Sequence, residues 1–252
     1  VPTSGTVHIF GENMQTQSQE VLPRIGSLIE SPGFYPNLTA TENLKIFADL
    51  RGLTKASYIK SALELVGLPY RDKKLFSQYS LGMKQRLAIA LAVMHNPDLL
   101  ILDEPINGLD PIGIAEVRGF IRELCDLQGK TILISSHILS EIALLADDVG
   151  IIDHGVLLEE ESLKELEQKN RHYFHFTVSD SRIAEQVLQA GFQTTDYIVC
   201  DQNNIQLMDV NVPASAIVRA FVQQGLEVSE ARLCEDTLED YFKRVTGGEG
   251  IA

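Results

Sequence analysis

Two uninterrupted apolar runs, each followed by polar side chains, constrain the fold of this chain more than any other feature. Leu99–Leu102 reads LLIL and Thr131–Ile134 reads TILI, and a helix-forming segment at about 113–127 separates them. Strand, helix and strand in this order, with continuously apolar strands, are typical of a buried parallel sheet. The pattern therefore predicts an α/β fold in which these two strands are neighbours.

Acidic and imidazole side chains follow the two runs. Asp103 and Glu104 come directly after the first run, and His137 ends the Ser-Ser-His segment after the second. Ligands bind at the carboxyl edge of parallel strands in open α/β sheets, so we expect the three side chains to meet there. Because successive strand side chains point to opposite sides, one acid is expected to hold Mg²⁺ and the other to reach a water in line with a phosphate. Taken singly, each signal also fits solvent-facing acids or a structural histidine.

A third segment predicts an anion site at the start of a helix. It reads YSLGMKQR from Tyr79 to Arg86, with Ser80 as the N-cap and Gly82 in the first turn. The free N–H groups and positive end of a helix attract phosphates, and a glycine admits a close approach to the backbone. An ordinary capped helix is the alternative for this segment taken alone.

The remaining pattern predicts a domain organisation. A capping box at Thr39–Glu42 and glycine or proline stops predict a mostly helical subdomain at about 31–96, inside an α/β domain that covers 1–158. A charged helix or linker is expected at 159–170. The order strand, helix, strand, strand, helix, strand then predicts a small α+β ferredoxin-like unit at 171–246.

Composition excludes several classes of function. The formal net charge of −14 disfavours a nucleic-acid partner and an anionic lipid surface. The three cysteines, Cys125, Cys200 and Cys234, are odd in number and widely spaced, which favours reduced thiols in a cytosolic protein over disulfides or a metal pair. No apolar run approaches the ~20 residues that a membrane span needs.

Together these segments resemble the ATP-binding subunit of ABC transporters over about residues 1–158. YSLGMKQR is similar to the family's signature loop, LILDEP to its Walker B strand, Asn107–Pro111 to its D-loop, and Ser136–His137 to its switch histidine. Gly33–Thr39 and the C-terminal extension resemble the branch that exports bacitracin and lantibiotic-type peptides. The resemblance implies a P-loop NTPase-like parallel sheet with a helical subdomain, which binds ATP and Mg²⁺ and hydrolyses ATP to drive transport.

The resemblance also implies a role for each matched residue of the catalytic edge. Asp103 is expected to help hold Mg²⁺, Glu104 to act as general base or to polarise the water, and His137 to sense the γ-phosphate. Where the family's Q-loop carries a glutamine, this chain has Glu30, whose carboxylate is expected to ligate Mg²⁺ directly or through water.

A second set of implied roles concerns partners. In a head-to-tail dimer of two ATPase subunits, Ser80 and Gly82 would contact the nucleotide bound across the dimer, and Asp110 would couple the two sites. The segment Phe34–Leu38 would touch a separate transmembrane permease. The chain is therefore expected to be cytoplasmic and peripheral on the inner face of the cell membrane.

One departure from the family pattern bears on activity. The Walker A loop GxxxxGK[ST] does not occur in the sequence, since Gly129–Thr131 has Leu124 where the first glycine belongs. We interpret the chain as a fragment of a longer ATPase that is inactive by itself. The alternatives are a non-catalytic regulatory or interaction module and an ABC-class ATPase without a transport role. The complete DEP and SSH segments favour an active parent.

Overall fold

The computed structural model describes residues 2–29 and 33–247. The chain divides into two compact units, 1–138 and 139–252. The helices and strands of the described residues are, in chain order, β1 (His8–Ile9), β2 (Glu12–Asn13), α1 (Ser18–Val21), β3 (Ile25–Leu28), α2 (Ala40–Leu50), α3 (Ala56–Leu65), α4 (Leu81–Val93), β4 (Leu99–Asp103), α5 (Pro111–Asp126), β5 (Thr131–Ser135), α6 (Leu139–Leu145), β6 (Asp148–Asp153), β7 (Val156–Ser162), α7 (Leu163–Gln168), β8 (His172–Val178), α8 (Ser181–Phe192), β9 (Tyr197–Val199), β10 (Asn204–Leu207), α9 (Ala214–Gln223), β11 (Val228–Glu235) and α10 (Leu238–Val245).

The sheet of the first unit has the predicted parallel order. Its strands lie in the order β3, β4, β5, and the register pairs Leu100 with Ile132 and Asp103 with Ser135. β4 is central and its Leu100 and Leu102 side chains are only 1% exposed. The prediction that β5 is also buried is wrong, because Leu133 on this outer strand is 62% exposed and Ile132 and Ile134 on its other face are only half-buried.

Helices α2 to α4 connect β3 to β4 and confirm the predicted helical segment. The capping box at the start of α2 is present, with Thr39 accepting from the Glu42 N–H and the Glu42 carboxylate accepting from the Thr39 N–H. Ser80 caps α4 by accepting a hydrogen bond from the Met83 N–H. Each helix therefore begins where its sequence signal placed it.

Helix α4 lies directly against the sheet at Gly26. A Cβ atom built on Gly26 would stand 2.1 Å from the Ala92 carbonyl oxygen and 2.7 Å from a methyl of Leu100. Only a residue without a side chain fits at this contact. Gly26 therefore sets the distance between the strands and the helix that carries the YSLGMKQR segment.

The second unit contains the predicted ferredoxin-like fold. Its four-stranded sheet has the order β11, β8, β10, β9 with every neighbouring pair antiparallel, and α8 and α9 connect the strands. The core under this sheet is apolar and includes Phe176, Leu188, Ile205, Ile217 and Phe221. No helix in the described part of the chain has the length and apolar character needed to cross a membrane.

Three details of the second unit differ from expectation. Residues 139–158 group with this unit, whereas the predicted domain boundary lies at 158, and that boundary stays a prediction. Residues 159–170, expected to be a charged helix or linker, are helical only in α7, because the first of them end β7 and pair with β6. A glycine commonly ends a helix, yet α8 continues through Gly191 to Phe192, and its C-cap residue Gln193 adopts the left-handed conformation with φ 52°.

Candidate active site

The carboxyl ends of β4 and β5 bring two predicted site segments together. Because Asp103 and Ser135 are directly paired across the strands, the residues that follow them lie side by side. The Ser135 hydroxyl donates to Asp103 Oδ1 at 2.5 Å, and the Glu104 N–H lies 3.1 Å from the same hydroxyl oxygen. One hydroxyl thus connects the carboxylate of the first acid to the backbone of the second.

Glu104 and His137 form the second contact of this edge, as the sequence predicted. Their Oε2 and Nδ1 atoms are 2.9 Å apart, and the two side chains are 33% and 45% exposed. An ionised carboxylate only accepts, so the Nδ1 atom carries the hydrogen and the Nε2 atom is available to a ligand. Asp103, Glu104 and His137 are therefore close enough to act on one bound molecule.

The backbone at Glu104 is unusual for a residue with a side chain. Its φ is 48°, in the left-handed region that non-glycine residues seldom occupy. This conformation costs about 1–2 kcal/mol. The hydrogen bonds of the Glu104 N–H, which also donates to the Ser135 carbonyl at 3.2 Å, offset part of that cost. The chain therefore turns sharply after Asp103, and Glu104 no longer follows the alternation of β4. Strained backbone of this kind is concentrated at functional sites.

The donors of this edge fit a magnesium ion bound together with phosphates. Asp103 is half-buried, and only one of its carboxylate oxygens is engaged within the described residues. Mg²⁺ is commonly held by one or two carboxylates, with water and substrate phosphates completing its shell. No cluster of three or more His, Cys, Asp or Glu side chains suited to a metal occurs in 2–29 and 33–247. Glu30, the other predicted ligand, lies outside the described residues.

Ser135 is the residue of this site that the sequence prediction did not single out. Its signal was present in the Ser-Ser-His segment, but only the strand register decides which serine faces Asp103. Ser136 has a different role, because its hydroxyl oxygen accepts from the Ile138 N–H at 3.1 Å within the following turn.

The start of α4 forms a separate part of the candidate site. Ser80 is exposed, and neither it nor Gly82 hydrogen-bonds to the acid–histidine group in the described residues. A Cβ atom on Gly108 would lie 3.1 Å from the Leu81 side chain, so the signature segment contacts the loop before α5. Although Ser80 caps the Met83 N–H, the N–H groups of Leu81 and Gly82 have no hydrogen-bond partner among the described residues and are open to an anion.

Asp110 has a structural role within one chain. Its Oδ1 accepts the Gly113 N–H at 3.0 Å and caps α5, while Pro111 occupies the first helical position. An N-cap of this kind stabilises a helix by about 1 kcal/mol. The expectation that Asp110 also couples two nucleotide sites stays a prediction.

Comparison with known proteins extends over both compact units. Residues 1–107 match the family model described as ABC transporter. The bacitracin transport ATP-binding protein BcrA of Enterococcus faecalis is 49% identical over 100% of this chain and 81% of that protein. The lantibiotic transport ATP-binding protein SrtF of Streptococcus pyogenes is 48% identical over 63% of this chain and 68% of that protein. A solved ATP-binding subunit of an ABC transporter has a TM-score of 0.57 at 29% identity, covering 67% of this chain and 71% of its own.

Proposed function

Because the chain belongs to the family of ABC transporter ATP-binding proteins, we propose that it powers the export of a peptide antibiotic of the bacitracin or lantibiotic type. Proteins of this family are ATPases that bind ATP with Mg²⁺. The printed functions of the bacitracin and lantibiotic relatives support the substrate class. The structural observation that best supports catalysis by this chain is the contact between Glu104 and His137.

The proposed chemistry assigns one task to each group of the catalytic edge. The Glu104 carboxylate orients the attacking water and takes its proton, and the hydrogen bond to His137 holds the imidazole toward the γ-phosphate. Asp103, aligned by the Ser135 hydroxyl, would hold Mg²⁺, and the ion would supply positive charge that offsets the charge of the bound phosphates. The open, partly exposed edge admits a triphosphate.

Glu104→Gln tests the proposed catalysis in the assembled transporter. The amide keeps the size of the side chain and an acceptor for the His137 Nδ1–H but cannot take a proton. ATP turnover should therefore fall by about 10²–10⁴-fold while ATP still binds. Glu64→Gln is the matched control, because Glu64 is an exposed residue of α3 and its carboxylate pairs only with Lys60 among the described residues. Turnover that survives in Glu104→Gln would show that Glu104 is not the general base.

The same two variants test the substrate class. Cells that express the transporter with Glu64→Gln should tolerate more bacitracin or lantibiotic than cells with Glu104→Gln. Suppose that both variants are expressed normally and that only Glu104→Gln loses turnover. If the two strains then tolerate both peptide types equally, the result would contradict peptide export and leave the ATPase assignment intact.

Our proposal for the partners follows from the exposed surfaces of the first unit. A second ATPase subunit would place its nucleotide against Ser80 and Gly82, with Asp110 near the boundary of the two subunits. A separate permease would contact residues 34–38, where Tyr35 is 52% exposed. The chain would then be peripheral to the membrane, on its cytoplasmic face.

A further inference from the structure

Two loop segments of the helical subdomain form a single element, which we call the paired loops. The first covers 33–39 and precedes α2. The second covers 75–79, contains the short 3₁₀ helix Phe76–Gln78 and precedes Ser80. An antiparallel bridge joins Thr39 to Leu75. Two backbone hydrogen bonds also join them, from the Phe76 N–H to the Leu38 carbonyl at 2.8 Å and from the Ser77 N–H to the Pro36 carbonyl at 3.0 Å.

Phe76 connects these loops to the start of α4. Its ring centroid is 5.2 Å from that of Phe34 in the first loop and 6.0 Å from that of Tyr79 beside Ser80. The Lys84 ammonium of α4 lies 5.4 Å from the same Phe76 centroid. Aromatic pairs and cation–π contacts at such distances are attractive. One side chain therefore touches the first loop, the residue before Ser80, and the signature helix.

Tyr79 is held by its ring rather than by its hydroxyl. The residue is only 5% exposed, and its hydroxyl has no hydrogen-bond partner in the described part of the chain. Since Tyr79 directly precedes Ser80, a displacement of its ring changes the position of the N-cap. The contact with Phe76 is thus part of what sets the start of α4.

The first of the paired loops is held against α2 by Asn43. This α2 residue is fully buried, and its Oδ1 accepts the Tyr35 N–H at 2.8 Å while its Nδ2 donates to the Thr39 carbonyl at 3.0 Å. These bonds tie the backbone at both ends of the loop to one side chain, while the Tyr35 side chain is 52% exposed. A force on Tyr35 therefore acts on a hydrogen-bonded loop that is joined to the segment before Ser80.

We propose that Phe76 is a positioning residue that transmits displacement of the 34–38 segment to Ser80. The inference rests on the proposed function, in which a permease contacts this segment and Ser80 contacts nucleotide. Phe76 itself touches neither. Its contribution is to make the position of the signature loop depend on the state of the permease.

Phe76→Leu, compared with Phe47→Leu, tests the proposal. Phe47 packs on the same Phe34 ring at 5.8 Å but contacts no ring of the second loop in the described residues. In Phe76→Leu the ratio of permease-stimulated to basal ATP turnover should fall about two- to thirtyfold. Hydrogen–deuterium exchange at the Met83 amide, which Ser80 caps, should also become faster. Phe47→Leu should change neither quantity, and Phe76→Tyr should restore both.

The two measurements separate failure of the inference from failure of the proposed function. Equal effects of Phe76→Leu and Phe47→Leu on both quantities would overturn the role of Phe76. A wild-type transporter whose permease does not alter turnover would contradict the proposed partner. In that case the amide exchange of the chain alone still decides whether Phe76 sets the start of α4, and unchanged exchange in Phe76→Leu refutes the link.

Discussion

Asn43→Ala is the substitution whose cost follows most directly from the structure. An asparagine inside a helix usually faces solvent, but this side chain is 0% exposed and is surrounded by the backbone of the loop before α2. Its amide accepts from the Tyr35 N–H and donates to the Tyr35 carbonyl at 3.1 Å and the Thr39 carbonyl at 3.0 Å. The substitution removes all of these bonds at once.

The lost bonds are not equivalent. The Tyr35 carbonyl keeps the Leu38 N–H, at 3.2 Å, and the Thr39 carbonyl keeps the Asn43 backbone N–H, at 3.0 Å. The Tyr35 N–H loses the only partner that it has among the described residues, and leaving this part-buried donor unpaired costs about 1–3 kcal/mol. The Asn43 Nδ2 donates three bonds, of which the one to the Leu38 carbonyl is long at 3.4 Å, and the two shorter ones contribute about 0.5–1.5 kcal/mol each. The higher helix propensity of alanine offsets about 0.5 kcal/mol. We therefore expect the free energy of unfolding of the first unit to fall by about 1.5–5.5 kcal/mol.

Urea titration followed by hydrogen–deuterium exchange mass spectrometry measures this change. Peptides from each compact unit report unfolding separately, which matters because a chain of two units need not unfold in one step. Lys45→Ala is the control, since Lys45 is exposed on the same helix. Ordinary surface substitutions change the free energy of unfolding by less than about 0.5 kcal/mol. If the unfolding free energies of Asn43→Ala and Lys45→Ala differ by less than this amount, the stability of the first unit does not depend on the Asn43 hydrogen bonds.

Two further predictions concern protonation and the metal. Burial, followed by the nearby Arg51, lowers the pKa of His95, so the unfolded chain protonates first as pH falls below about 6.5 and stability is lost on acidification. In urea titrations at pH 7 and pH 5, the free energy of unfolding should fall less between the two pH values in His95→Gln than in the wild type. An equal fall in both proteins would contradict this reasoning. Ser135→Ala removes the hydrogen bond to Asp103. Because a hydrogen bond to a charged group contributes about 1.5–3 kcal/mol, the Mg²⁺ concentration needed for half-maximal turnover should rise about ten- to a hundredfold. Ser136→Ala should not, and a Mg²⁺ titration of turnover distinguishes the two variants.

The parts of this fold that sequence predicts correctly depend on local signals. The Thr39 capping box and the Ser80 N-cap need only residues within one turn, and both are present. The meeting of Glu104 and His137 required one further step, that two apolar runs separated by a helix are parallel neighbours. Once that holds, the ends of the strands must lie at the same edge.

The features that sequence does not reveal depend on distant partners. The Glu159–Glu161 run has low strand propensity, yet it pairs with β6 because the hairpin supplies its hydrogen bonds. The burial of Asn43 depends on a loop that folds back over α2, and no periodicity signals it. Likewise, the side chains of the Ser-Ser-His segment acquire different partners only through the register of β5 on β4.

The close contact at Gly26 restricts how the helical layer can move over the strands. With the Ala92 carbonyl already against the glycine, helix α4 has no room to approach the sheet. Any rearrangement of the subdomain must therefore lift this helix or slide it sideways, in the manner of a shear motion between packed layers. The signature segment can therefore move along the sheet or away from it but not toward it, and the absence of a side chain at Gly26 sets this restriction.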